Sequence, residues 1–352
     1  MASIKDYVKY YKDISMSEVS FNDVDSMLFT LLVYADFKKI IPEEKGRFIL
    51  FSDAARLFLR KYDEDSKKAP KFIREVYELI YQLRDAKRYQ DIKMYHYVKV
   101  VDDEKQFCGF TLRFWGKVYV AFEGTDTSLI GWKEDFMLSN SFPVPAQKMA
   151  MNYLNDTIGF FDNEVYVGGH SKGGNLAMTA SMLASSRLRL KIRTIYNFDG
   201  PGFRVKEFGT NAYARMARKL KMFVPEDSTI GMLLLHTPSY QVVKSNALGL
   251  WQHNPLSWEC FGGVFIPGTL TSRSTSLEKS NIEFIASLNE NERAKIIDTI
   301  FSIFDKLGIK DTSEIKIPKI NQAITLVKEL TTLDSDSRHK LVTLLKMLIK
   351  GM

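Results

Sequence analysis

The chain has 352 residues, of which 45% are hydrophobic and 26% charged, proportions that are ordinary for a globular protein. Its net charge of +7 comes from 49 basic and 42 acidic residues that are interspersed, which argues against a nucleic-acid-binding surface. Two cysteines allow one disulfide but no disulfide framework, and the five histidines lack metal-ligand spacing, so we expect no metal site and no cofactor.

The first residues are polar and lack the apolar core of a secretion signal. The longest apolar run, over 27–35, is too short to cross a bilayer. We therefore expect a cytoplasmic protein without a transmembrane segment. Peripheral contact with a membrane and the oligomeric state stay open at this point.

Residues 1–90 are predicted to form a mostly helical segment that packs on the core. Apolar residues at helical spacing predict helices over 23–37, 53–60 and 72–83. The charged stretch 61–70 ends in proline and is predicted to be a loop.

Residues 91–275 are predicted to form an α/β core. Three strand-like runs, at 95–101, 107–114 and 118–122, are separated by turns at 102–105 and 115–117 and first predict an antiparallel meander. Helices and strands then alternate, with helices at 146–161, 176–186 and 207–220 and strands at 165–167, 193–198, 221–224 and 240–244. This alternation predicts a mostly parallel central sheet with helices on both faces, to which 258–265 adds a late edge strand.

Residues 276–352 lose the strand pattern and are predicted to be a helical appendage. Helical spacing covers 290–307, 320–330 and 335–350, and Asp334 or Ser335 is the expected N-cap of the last helix. The apolar faces of these helices could pack on the core or bind a partner, and packing is the simpler interpretation.

The stretch VYVGGHSKGGNLA places Ser171 in a G-x-S-x-G motif between a strand-like run and a helix-like run. A sharp strand-to-helix turn needs small residues such as Gly169 and Gly173 beside its apex. In that context the motif predicts a nucleophilic serine whose side chain stands clear of the sheet. The alternative is an ordinary glycine-rich turn in which Ser171 caps the helix.

A serine hydroxyl needs a base to accept its proton, and histidine is the usual base. On this architecture the base follows the nucleophile, which leaves His236 and His253 before the appendage. His253 lies in a loop of turn residues after the 240–244 strand, whereas His236 lies in an apolar run. We therefore favour His253 as the base.

The acid that orients the histidine is expected on a loop after a later strand. Asp227 follows the 221–224 strand and is the preferred candidate, with Asp199 and Glu226 as rivals. Two N–H groups are expected to bind the oxyanion, one from Lys172 directly after the nucleophile and one from Thr125 after the 118–122 strand.

These motifs resemble those of the class-three, fungal-type triacylglycerol lipases of the α/β-hydrolase superfamily. VAFEGTDTSLIGWKEDF matches the oxyanion segment, with Thr125 at the oxyanion position and Trp132 and Asp135 following it, and GHSKGGNLA matches the nucleophile elbow. The resemblance implies an α/β-hydrolase fold with Ser171 as nucleophile and Asp227 as acid. The chain is still more similar to a bacterial family of lipase-like proteins, through Asp6-Tyr7-Val8, Asn22-Asp23-Val24-Asp25 and Gln252-His253…Ser257-Trp258.

Two departures from the lipase pattern limit what the resemblance implies. Glu123 replaces an arginine and Lys172 replaces a leucine, so triglyceride specificity is not implied. Lys172 could favour an acidic substrate or partner, or it could pair with Glu123 or Asp126.

The sequence thus predicts a serine hydrolase that cleaves a small-molecule or lipid-like ester or thioester through Ser171, His253 and Asp227. The segment 126–145, which contains Trp132 and Phe136, is a candidate lid. Two alternatives remain: a non-catalytic scaffold that binds a ligand or protein, and an acyltransferase that uses the same residues.

Overall fold

An eight-stranded sheet forms the centre of the computed structural model, which describes residues 3–61, 69–126 and 128–306. The strands are β1 (Ile49–Leu50), β2 (Lys93–Val101), β3 (Gln106–Phe114), β4 (Lys117–Phe122), β5 (Val165–His170), β6 (Ile192–Phe198), β7 (Leu220–Pro225) and β8 (Gln241–Val243). They lie side by side in chain order; β1 to β4 pair antiparallel and β4 to β8 pair parallel. The predicted α/β-hydrolase fold, with its antiparallel meander leading into a parallel sheet, is confirmed.

Helices cover both faces of this sheet. They are α1 (Ile4–Tyr11), α2 (Asp23–Leu32), α3 (Phe51–Lys61), α4 (Lys71–Leu83), α5 (Leu129–Met137), α6 (Pro145–Thr157), α7 (Lys172–Leu183), α8 (Ser186–Lys191), α9 (Val205–Phe208), α10 (Asn211–Ala217), α11 (Ser272–Ala286) and α12 (Glu290–Lys306). One apolar core joins α1 to α4 to one face, and a second joins α6, α7 and α10 to the other. Since helices bury both faces of the sheet, its strands carry apolar residues on both sides. In β4, Tyr119 faces the first core, while Val118 and Val120 face the second.

Several elements differ from the sequence expectation. The N-terminal segment contributes β1 to the sheet as well as its helices, and α2 ends at Leu32. The predicted helix 207–220 is two short helices, α9 and α10, and 258–265 forms a separate hairpin of β9 (Cys260–Phe261) and β10 (Val264–Phe265). The predicted helices 320–330 and 335–350 lie outside the described residues, as does the cap at Asp334 or Ser335.

The N-terminal motif residues form a buried polar network. Asp25 and Arg88 make an ion pair of 2.5 Å, and both side chains are fully buried. Tyr7 and Tyr89 donate hydrogen bonds to the same carboxylate at 3.0 and 2.8 Å, and Asn22 caps α2. Because these groups satisfy one another, the motif anchors the N-terminal helices and needs no ligand to explain it.

Both cysteines, Cys108 and Cys260, are buried and free, so the disulfide that the count allowed is not formed. Within the described part of the chain, no helix has the length and apolarity that a membrane crossing requires.

Candidate active site

Ser171 lies at the apex of the turn between β5 and α7 with φ 57° and ψ −133°, a strained conformation for a residue with a side chain. The turn is so tight that a Cβ on Gly169 would overlap Gly173, and one on Gly173 would lie 2.9 Å from the carbonyl carbon of Glu123. The Ser171 hydroxyl does not cap α7, so the helix-cap interpretation is wrong. The geometry is that of a nucleophile elbow.

The residues after β5 and β6 are adjacent because the two parallel strands pair in register. His170 is opposite Phe198, so Ser171 and Asp199 are the next residues on neighbouring strands. The Ser171 N–H donates to Phe198 O at 3.0 Å, and a Cβ on Gly200 would overlap Ser171 O. Asp199 is therefore held beside the elbow by the backbone alone.

Asp199 is the acid that pairs with His253. Its Oδ2 lies 2.6 Å from His253 Nδ1, and its Oδ1 accepts from Ser228 Oγ at 2.5 Å and from Gly231 N at 3.1 Å. The Asp199 side chain is fully buried, whereas that of His253 is 26% exposed. A buried carboxylate with three donors fixes the imidazole so that Nε2 remains available to accept a proton.

The predicted pairing of Asp227 with His253 is wrong. Asp227 lies two residues beyond the end of β7, and its carboxylate accepts from Thr271 Oγ1 and Arg273 Nη1, each at 2.9 Å. Its backbone N–H donates to Gln252 Oε1 at 2.7 Å. Asp227 therefore fastens the start of α11 and the loop that carries His253, while the register of β6 gives Asp199 the position beside the histidine.

His170 was not predicted as a site residue, yet it holds His253. Its Nε2 lies 2.8 Å from His253 O, which can only accept, so Nε2 carries the proton. Nδ1 then accepts from Tyr34 Oη at 2.8 Å. Burial lowers the pKa of His170 well below its ordinary value, so the ring stays neutral, 4.5 Å from the His253 ring. In the sequence, the only indication that His170 belongs to the site is its position directly before Ser171.

The loop after β8 is fixed at both sides of His253. Trp258 Nε1 donates to Gln252 O at 2.8 Å, and Asn254 Nδ2 donates to Glu75 Oε2 at 2.6 Å. The Gln252-His253…Ser257-Trp258 motif is thus the framework that holds the histidine. The rival His236 lies instead 3.3 Å from Glu278 of α11.

Gly124 brings the loop after β4 into contact with the elbow. A Cβ at this position would lie 2.6 Å from His170 O and 3.1 Å from Ser171 Cβ, so only glycine fits. The next residue is Thr125, whose amide has no acceptor among the described residues. Lys172 is the first residue of α7, so its N–H also lacks an intrahelical acceptor. Two amides without an acceptor among the described residues therefore lie near Ser171, one directly after it and one directly after Gly124.

The hydroxyl of Thr125 is held by α5. It donates to Asp135 Oδ2 at 2.5 Å, while the buried Oδ1 of Asp135 has no partner among the described residues. Burial raises the pKa of Asp135 to about 6. The sequence match of Thr125 with Asp135 thus corresponds to a direct contact that orients the threonine.

The Lys172 side chain is buried, so it cannot meet an acidic substrate or partner on the surface. It pairs with Glu134 at 3.3 Å rather than with Glu123 or Asp126. Burial raises the pKa of Glu123 to about 7, and this carboxyl reaches Lys172 only through Gln106.

An apolar cavity of about 270 Å³ opens beside Ser171. Its walls come from α5, the loop after β7, α11, α12 and the turn that joins these two helices. The apolar lining residues are Trp132, Phe136, Ile230, Leu233, Leu277, Phe284, Leu288, Ile296 and Ile297. α11 and α12, which the sequence assigned mostly to an appendage, therefore form part of the site. The candidate lid is also divided: Trp132 and Phe136 line the cavity, whereas Phe142 packs on Phe203 in the core.

Comparison with known proteins gives one family and several structures. The sequence model of the Mbeg1-like family matches residues 83–302. The structure is similar to that of the M37 lipase, with 14% identity, a TM-score of 0.36 and coverage of 75% of this chain and 81% of that chain. It is also similar to the Rhizomucor miehei lipase propeptide complex, with 16% identity, a TM-score of 0.34 and coverage of 55% of this chain and 67% of that chain. Lip2 lipase from Yarrowia lipolytica is similar at 13% identity, with a TM-score of 0.32 and coverage of 55% of this chain and 77% of that chain. No curated protein matches the chain.

Proposed function

The chain belongs to the Mbeg1-like family, whose sequence model spans more than half of it, and we propose that it is a serine hydrolase of esters with an apolar acyl chain. The observation that carries the proposal is the strained Ser171 beside both an apolar cavity and a His253 that pairs with the buried Asp199. A helix cap or a structural turn requires none of these three features.

In the proposed reaction Ser171 Oγ attacks the ester carbonyl while His253 Nε2 accepts its proton. The same proton then passes to the leaving alcohol as the C–O bond breaks, which leaves an acyl-enzyme. Water attacks this ester, gives its proton to His253, and releases the acid as Ser171 is reprotonated. Asp199 keeps the proton of His253 on Nδ1 and stabilises the imidazolium that forms in both acylation and deacylation.

Among the described residues the Ser171 hydroxyl has no hydrogen-bond partner. A serine–histidine hydrogen bond of this type commonly tightens only in the complex with substrate. The free hydroxyl is therefore compatible with the proposed role.

The negative charge that develops on the carbonyl oxygen requires donors that are already in place. The amides of Thr125 and Lys172 are the candidates, because they lie near Ser171 and have no acceptor among the described residues. The Thr125 hydroxyl is engaged by Asp135, so we assign the donor role to its N–H.

The cavity limits the acyl group. The described walls enclose about 270 Å³, more than the roughly 150 Å³ that holds the six carbons of benzene, so there is room for an acyl chain longer than six carbons. Its apolar walls favour a saturated or unsaturated hydrocarbon over a polar acyl group. We therefore place the substrate among esters of medium-length fatty acids.

The first test is labelling of the full chain with an alkyl fluorophosphonate, which reacts with activated serines. We expect the wild type to be labelled, Ser171→Ala to lose all labelling, and Ser276→Ala, which removes an exposed serine on α11, to keep it. Folding of each variant is checked by thermal unfolding. Absence of labelling in folded wild type, with and without detergent, would favour the non-catalytic scaffold.

A further inference from the structure

The Lys172 side chain is an unusual feature of this elbow. It is entirely buried beside the nucleophile, and its ammonium group uses all three protons. Nζ donates to Gln106 O at 3.0 Å, to Gln106 Oε1 at 2.5 Å and to Glu134 Oε2 at 3.3 Å. An ammonium buried at the catalytic turn costs desolvation free energy that an apolar side chain would avoid.

Gln106 extends this contact to the other side of the site. Its Nε2 donates to Gly124 O and to Glu123 Oε2, each at 3.2 Å. Gly124 O and the Thr125 N–H belong to one peptide group, which is planar and trans, so they point in opposite directions. A donor that holds the Gly124 carbonyl therefore fixes the direction of the Thr125 N–H.

Glu134 supplies a second connection. Its Oε2 accepts from Lys172 Nζ and from the Gln106 N–H at 2.9 Å, and its Oε1 accepts from the Ala146 N–H at 2.9 Å. The next residue on α5 is Asp135, which accepts from the Thr125 hydroxyl. Lys172 thus reaches Thr125 by two routes, through Gln106 and through α5.

We propose that Lys172 is a positioning residue that sets the distance and direction between the two oxyanion donors. Its backbone N–H is one donor, and its side chain, through Gln106, orients the peptide that carries the other. This inference rests on the proposed hydrolase function. A displacement of about 1 Å at a reacting group can reduce the rate roughly 100-fold, so the network has a measurable consequence.

Replacing Lys172 alone would leave the Glu134 carboxylate buried without its cation, a loss large enough to threaten folding. The informative variant is therefore Lys172→Met combined with Glu134→Gln, which removes both charges and retains their volume. Gln106→Leu breaks the link to Gly124 without a change of charge. Arg88→Met combined with Asp25→Asn is the matched control, because it removes both charges of a buried ion pair in the N-terminal network, away from Ser171.

The measurements are kcat and KM for p-nitrophenyl octanoate, the Ki of an octyl trifluoromethyl ketone and the melting temperature. The ketone forms a charged tetrahedral adduct with serine, so its affinity reports the oxyanion donors. In the double variant we expect kcat to fall about 30- to 100-fold, KM to change less than twofold, and Ki to rise in proportion to the loss of kcat/KM. Gln106→Leu should act in the same direction, and the Arg88→Met/Asp25→Asn control should lower only the melting temperature.

A folded double variant with unchanged kcat and Ki would refute the positioning role while leaving the hydrolase proposal intact. An equal loss of kcat in a folded Arg88→Met/Asp25→Asn control would also refute it, because the effect would then follow stability. A folded wild type that is neither labelled by fluorophosphonate nor active on the ester would overturn the proposed function, and this inference with it.

Discussion

Replacement of Asp199 by asparagine is the sharpest test of the site, because the structure assigns the acid to a residue that the sequence ranked second. In Asp199→Asn, the amide oxygen can still accept from Ser228 and Gly231, and the amide nitrogen then faces His253 Nδ1. A donor at that position selects the tautomer that carries its proton on Nε2. That imidazole cannot accept the Ser171 proton.

The expected loss in kcat is about 10³- to 10⁴-fold, the size seen when a triad acid becomes an amide. At about 1.36 kcal/mol per tenfold, this corresponds to roughly 4–5.5 kcal/mol of transition-state stabilisation. The matched control is Asp227→Asn, which loses a contact with Arg273, whose side chain is 41% exposed. We expect this control to stay within about threefold of wild-type kcat and to lose at most about 1 kcal/mol of stability.

The assay is hydrolysis of p-nitrophenyl octanoate across pH 5–9, with melting temperatures measured on the same preparations. The reasoning is refuted if Asp227→Asn loses activity and a folded Asp199→Asn retains it. Equal losses in both folded variants would show that the hydrogen-bond geometry around His253 does not identify the acid.

Three further outcomes are expected. Leu277→Trp should fill the cavity and shorten the acyl chain of the preferred ester by several carbons, whereas Phe284→Ala should enlarge the cavity and lengthen that acyl chain. If neither variant changes the preference for chain length, α11 does not line the acyl site. Arg88→Met should cost about 3–5 kcal/mol in urea unfolding, because Asp25 is left buried without its cation; a loss under 1 kcal/mol would contradict this. Burial raises the pKa of Glu123 from 4.5 in the unfolded chain to about 7 in the native protein. Between these two pH values the native state holds a proton that the unfolded state has released, so a rise in pH lowers the free energy of unfolding by about 3 kcal/mol. Glu123→Gln should therefore flatten the decline of melting temperature from pH 5 to 8, and an unchanged slope would show that Glu123 titrates normally.

The central part of the fold could be predicted because its signals are local. The runs of β-branched and aromatic residues in β2 to β6, bounded by turn residues, predict strands from local sequence alone. The glycines around Ser171 similarly predict the elbow, since a tight turn between strand and helix leaves no room for a Cβ. Short elements such as β1 and α9 carry too few residues to produce a period.

The wall of the cavity shows a different limit. Amphipathic spacing predicted helical structure in the region of α12 but could not indicate which surface the helix would cover. The contact between Phe136 and Phe301, with ring centroids 5.9 Å apart, joins α12 to α5 across a sequence separation that no local pattern encodes. The sequence pattern favoured packing of this helix on the core, but only the tertiary structure shows that α5 is the surface it contacts.

The sequence by itself determined the elbow that makes Ser171 the candidate nucleophile, because strand, turn and helix are contiguous around Ser171 and their requirements are local. It also narrowed the candidate base to two histidines and the candidate oxyanion segment to the loop after β4. Only the tertiary structure decided between Asp199 and Asp227, because that choice depends on the register of β5 with β6 and on the path of the loop that carries His253. Register and loop path arise from contacts between residues far apart in the chain, and those contacts exist only once the sheet has formed.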